Sequence, residues 1–322
     1  VMGAAYRAVD ASRVDRVLLL GPSHHFYTRK CALSASRAWV TPLGDLEVDV
    51  EEMERLFELG RGGGGGGGGK EEEENSSSSN SSNLLFDVLS RSDDEAEHSL
   101  ELHTSFIRRV LERKKGGKGG DEKKGGKNAV AVPPLPPLIP VMVGALSPEA
   151  EAATAAALLP LVRDPRTLVV VSSDFCHWGS RFQFQSLGEE EKEEEDESGG
   201  GSGSKTKKEK GTTPSIADAI ERLDRRGMRL IEQQDGPGFR EYLSRTKNTI
   251  CGRFPISLFL EVLRQLKEGE EKGKRSNGSS SSSPLTHSVK FVSYDQSQRV
   301  ARRSESSVSY AAALVRVEGE AG

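Results

Sequence analysis

Four stretches of this 322-residue chain cannot belong to a folded core, and they dictate how the rest must be arranged. Residues 61–83 carry eight consecutive glycines, four glutamates and a Ser/Asn run; 114–128 and 268–283 are Gly/Lys/Glu/Ser-rich; 188–213 turns from acidic to Gly/Ser-rich to basic. Such segments bury too little apolar surface to offset their ordering entropy, and we read them as disordered loops. The pieces between them are mostly too short to own separate cores. A single domain spanning 1–322 with expanded surface loops follows, tolerated because closure entropy grows only slowly with loop length.

The intervening pieces alternate in type. Residues 16–20, 138–143, 167–172, 289–292 and 309–317 read as strands, several of them continuous apolar runs of the kind found when both sheet faces are covered. Ser147-Pro148-Glu149 is an N-cap, an N1 proline and a first-turn acid ahead of an alanine-rich helix reaching Val162. Ile216, Ala219, Ile220 and Leu223 form one helical stripe, and Ile256, Phe259, Leu260 and Leu263 another. Strands alternating with helices imply a layered α/β/α fold, whose ligand crevice lies at the carboxyl ends of its strands.

Two predicted strand ends are polar. "LLLGP" is followed by Ser23, His24 and His25, and "TLVVVSS" by Asp174, Phe175, Cys176 and His177. Imidazole and carboxylate delivered to one sheet rim suit a non-haem metal site, since imidazole binds iron, copper and zinc. Each histidine alone reads more readily as a hydrogen-bonded structural residue; two such clusters on buried strands bring the metal reading level with it, so both stand. In "TICGRFP", Cys251 precedes a helix and adjoins Arg253, surroundings that favour a thiolate; a small buried cysteine is the competing reading. Cys31, without such neighbours, reads as core. His98 and His103 are five apart, which rules out an H-E-x-x-H metalloprotease helix. His103 falls in line with Phe106, Ile107 and Val110 and reads as a core histidine, while Glu97 and His98 are placed to orient a metal ligand.

Charge and cysteine content narrow the function classes. With 45 basic and 49 acidic residues the chain offers no field for nucleic acid. Three cysteines without C-x-x-C spacing suggest no disulfide framework and point to a reducing compartment, cytoplasmic or nuclear. Five prolines between 133 and 140 keep the longest uncharged run from spanning a bilayer, so no membrane insertion is expected. Nothing resembles a P-loop or a G-x-S-x-G elbow, and no arginine cluster for phosphate is evident.

The order of motifs, "GPSHH", "EHSLELH", "IPVMVGALS", "VVVSSDFCHWGSRF", "NTICGR" and "SSVSYAAA", resembles the Memo family, mediators of ErbB-driven cell motility. The resemblance covers nearly everything outside the four low-complexity stretches. It implies a single α/β domain like the LigB-type class III extradiol dioxygenases, with a metal held by two histidines and a cysteine where the dioxygenases use glutamate. By that resemblance His24 and Cys251 are metal ligands, and Asp174 and His177 line the same pocket as acid, base or supporting residues. The family's first metal histidine, on a P-H-A-G-Y segment following one strand, is expected ahead of Val1, and we expect an incomplete gene model rather than a real loss. Phe254 stands where relatives often carry histidine, and Thr104-Ser105 where they carry Leu-Pro. The resemblance leads us to expect a bound iron or copper ion in a redox role. The alternative it implies is a non-enzymatic adaptor that takes a phosphorylated peptide or signalling protein in the same crevice.

Overall fold

The computed structural model describes residues 1–61, 85–112, 134–186, 215–276 and 286–318. The loop expectations for residues 62–83, 114–128, 188–213 and 277–283 lie outside the described residues. From the amino terminus the elements are α1 (Met2–Tyr6), β1 (Arg16–Pro22), β2 (Cys31–Leu33), β3 (Ala38–Trp39), β4 (Leu46–Glu47), α2 (Val50–Arg61), β5 (Phe86–Val88), α3 (Arg91–Ala96) and α4 (His98–Glu112). There follow β6 (Leu138–Val143), α5 (Pro148–Arg163), β7 (Thr167–Val171), β8 (His177–Trp178), α6 (Ile216–Glu232), α7 (Gly236–Thr246), α8 (Arg253–Ser276), β9 (Thr286–Gln296) and β10 (Ser307–Glu318).

Five strands form the central sheet in the order β5-β2-β6-β1-β7. β6, β1 and β7 are parallel, as β-α-β connections require, while β2 runs antiparallel to β6 and carries β5 beside it. Strand alternation splits β1 between two apolar layers. Leu18 and Leu20 pack with Leu158 of α5 and Leu258 and Val262 of α8, while Val17 and Leu19 pack with Ile107 and Leu111 of α4 and Tyr6 of α1. Helices therefore cover both faces of a mixed sheet, the α/β arrangement expected from the alternation of elements. β9 and β10 pair as an antiparallel hairpin with an irregularity at Ala312/Ala313, and β10 also pairs with β8.

Two readings need correction. Residues 268–276 are not loop: they are the last turns of α8, which Glu and Lys support as good helix formers and which the Arg264–Glu268 pair staples four residues apart. Strand β7 is not covered on both faces. All five of its residues are partly exposed, because among the described residues β1 is its one neighbour and its other edge borders a cleft. No helix among the described residues is long and apolar enough to cross a membrane.

Elsewhere the local signals act as read. Ser147 caps α5, accepting from the Ala150 amide at 3.2 Å with Pro148 behind it. The stripe of α8 is buried, that of α6 is buried except for the partly exposed Ile216, and Cys31 is fully buried in β2.

Candidate metal centre

β1 and β7 lie side by side and parallel, so the segments leaving their carboxyl ends emerge together. Gly21 is what lets α4 close over that end: a Cβ there would lie 2.5 Å from Leu100 Cδ2 and 2.9 Å from Ser99 Oγ. The close approach brings Glu97 and His98, at the start of α4, against His24. Ser99 Oγ donates to the Pro22 carbonyl at 2.9 Å and fixes the contact.

Glu97 is 2% exposed. It accepts from the His24 backbone amide at 2.7 Å, from the Ser99 amide at 2.9 Å, and pairs with His24 Nδ1 at 2.9 Å. Burial alone would raise this carboxyl, but the hydrogen bonds from His24 and Ser99 bring it down to about 2. The hydrogen-bonding influence of the Cys251 sulfur first, and then of Glu97 at Nδ1, pushes the His24 pKa up to about 9. His98 stacks on His24 with ring centroids 4.6 Å apart, and His25 sits edge-on to His98 at 5.8 Å, exposed and outside the cleft.

Cys251 sits in the turn ahead of α8. Its sulfur accepts from the Asp174 backbone amide at 3.0 Å, so the segments after β7 and before α8 meet at the thiol. Gly252 makes that possible, because a Cβ there would lie 2.5 Å from the Ser172 carbonyl oxygen. Of the three cysteines only Cys251 is partly exposed; burial pushes the Cys31 and Cys176 thiols far up and leaves them inert.

Asp174 and His177 complete the rim. Burial raises the Asp174 carboxyl, against the pull of His177, His24 and His98. His177 Nδ1 lies 2.9 Å from the Phe175 carbonyl and 3.0 Å from that of Thr249, two acceptors that place a proton on Nδ1. Its Nε2 lies 4.0 Å from Asp174 Oδ2. His24, His98, Asp174, His177 and Cys251 line one cleft of about 1030 Å³, walled further by apolar residues of β7 and β10. His24, Glu97 and His98 place three donor atoms within 4.8 Å of one another, a candidate metal-binding group.

Arg253 does not line this cleft. Its guanidinium donates to the Ile250 carbonyl, lies 4.7 Å from the Phe254 ring centroid and faces a second cavity. His103 is the core histidine its spacing suggested, 9% exposed with Nδ1 2.8 Å from Tyr6 Oη, although Phe106 in the same stripe is 41% exposed.

Sequence reasoning missed the support beneath the rim. Asp224, fully buried in α6, accepts from the Cys176 amide at 3.2 Å, Asn248 Nδ2 at 3.0 Å and Tyr294 Oη at 2.9 Å. Thr249 Oγ1 accepts from the His177 amide and donates to its carbonyl. These bonds tie the 174–178 and 248–251 segments to one another. The signal was an acid four residues after Ile220 and beside Leu223 on an otherwise apolar stripe, the placement of a charge that must be satisfied internally.

A family model described as "Memo-like protein" matches residues 1–314. A MEMO1 family protein of Schizosaccharomyces pombe is 33% identical over 315 residues, 97% of this chain and 82% of that protein. Protein MEMO1 of Homo sapiens is 33% identical over 313 residues, covering 97% and 79%, and that of Danio rerio 32% identical over 308 residues, covering 96% and 77%. With a family model matched along nearly its whole length and relatives at this identity over nearly all of it, the chain belongs to the Memo family.

Proposed function

We propose that the cleft binds one transition-metal ion, iron or copper, through His24 Nε2 and Cys251 Sγ, and that the ion serves a redox reaction. One observation carries this reading. The His24 ring is fixed by a buried carboxylate at Nδ1, 2.9 Å away, in the cleft that the Cys251 sulfur shares and where it raises the His24 pKa. A carboxylate that fixes the tautomer and direction of an imidazole is the usual support of a metal-binding histidine. The donor set fits the group, since thiolate with imidazole suits copper, iron or zinc better than magnesium or calcium. When bound, such an ion supplies one-electron or Lewis-acid chemistry.

The residues around it have separable tasks. Glu97 keeps the His24 ring aimed, and the proton that His24 holds must leave before the ring can bind. The Asp174 amide orients the sulfur. Asp174, its carboxyl raised by burial, and His177, whose Nε2 lies 4.0 Å from Asp174 Oδ2, form a pair able to hold or pass a proton at the rim. His98, whose ring stacks on that of His24 with a tilt of 23°, is an auxiliary donor beside it. The crevice is open to solvent, and the apolar walls of β7 and β10 would take the organic part of a substrate.

Elemental analysis tests the reading. The untagged protein should carry about one equivalent of iron or copper, as should His25→Ala, while His24→Ala and Cys251→Ala lose it. Unchanged metal content in both of the latter variants would sink the proposal.

A further inference from the structure

We propose that a second cavity, built on the same 248–257 segment as the metal centre, binds a phosphate monoester. The cavity has a volume of about 520 Å³, within the roughly 300–1,000 Å³ span of small-molecule pockets. Arg240 from α7, Lys247 from the α7–α8 turn and Arg253 from the start of α8 all line it. No sequence motif groups these three cations; the turn between α7 and α8 brings them together.

Charge balance calls for an anion. Glu151 is the single acid among the lining residues, and it is paired with Arg240 at 2.8 Å. Lys247 and Arg253 are exposed and form no ion pair among the described residues. Arg253 is also the first residue of α8, whose first turn contains no acid. The amino-terminal end of a helix is its positive end, where a cation is placed unfavourably and an anion favourably. One anion in the cavity would neutralise Lys247, Arg253 and the helix end together, and Arg253 offers it a bidentate fork.

Two further features fit a phosphate group, and the first favours a monoester over a bare ion. Leu146, Leu243 and Phe254 give the cavity an apolar side able to take an organic group. Asn248, 4% exposed and one of the lining residues, has an Oδ1 with no hydrogen-bond partner while its Nδ2 is tied to Asp224 and Tyr242. A buried amide oxygen in this position seeks a donor, which a P–OH of the bound phosphate, free or esterified, supplies. An occupant here would contact the residues on both sides of Cys251, but the proposal does not rest on the metal reading.

Calorimetric titration of metal-free protein with inorganic phosphate and with n-butyl phosphate, at ionic strength held constant with chloride, tests it. The expected result is saturable one-site binding, at least threefold tighter for the butyl ester. Lys247→Gln with Arg253→Gln should weaken it tenfold or more, and Cys251→Ala should leave it unchanged. Lys247→Gln alone, at an exposed side chain, should weaken it at least threefold. Absence of saturable binding to the parent protein, or undiminished binding to Lys247→Gln and the double variant, would overturn the proposal. So would loss of binding in Cys251→Ala, which would move the anion to the metal crevice.

Discussion

At the scale of single residues, two histidines of α4 and its contacts show how surroundings divide one side-chain type into two roles. His24 lies near Glu97 and Cys251, which hold its proton up to about 9. His103 lies among apolar side chains, where burial depresses its pKa to about 4. The consequence for stability has a definite sign. Below about 6.5 the unfolded chain protonates this histidine while the folded chain keeps it neutral, so the contribution is fully present above that pH and is lost as pH falls towards 4. The loss amounts to roughly 3 kcal/mol at most. Thermal melts between pH 7 and pH 4 should therefore show a steeper acid decline for the parent than for His103→Gln, whose amide oxygen can still accept from Tyr6. Parallel decline of the two would show that His103 does not drive it.

At the scale of elements, the centre is a meeting of chain segments rather than of whole helices or strands. The backbone amide that touches the Cys251 sulfur belongs to Asp174, and the closeness depends on the absent side chain of Gly252. Gly252→Ala would force its Cβ against the Ser172 carbonyl and the Ser173 side chain. We expect it to cost roughly 1–3 kcal/mol of stability, as overpacked sites do, and to lower metal content without altering any ligand. Full metal content together with parental melting would refute this account of the turn. The strand ends at Ser23 and Asp174 were visible in the sequence because apolar runs halt there abruptly. The Asp224 brace was not, because hydrogen bonds between residues 24 to 70 positions apart leave only a charge on an apolar stripe as their trace.

At the scale of the molecule, the layered fold was legible because its signals are local and agree: the Ser147 cap, the two helical stripes and the apolar run of β1 each specify an element on their own. Less legible were the order of strands and the place of β7. Its residues, Thr-Leu-Val-Val-Val, read as a buried strand, yet it forms an open side of the sheet beside the large cleft. Edge position is a property of neighbours, not of the strand's own residues. The sequence likewise placed Arg253 beside Cys251, but helix geometry turned it to the second cavity, and only the folded chain assembled it with Arg240 and Lys247. His24 and Cys251, far apart in the chain, were grouped only by the family resemblance, and in the fold both line the large cleft.

The most direct test of the central claim is the visible absorption spectrum of the protein loaded with one equivalent of copper(II). Ligation by Cys251 predicts an intense thiolate-to-metal charge-transfer band that is absent in Cys251→Ser, shifts or weakens in His24→Ala and is kept at reduced metal affinity in Glu97→Gln. A spectrum without that band, or one identical in the parent and Cys251→Ser, would contradict the assignment of His24 and Cys251 as a metal site.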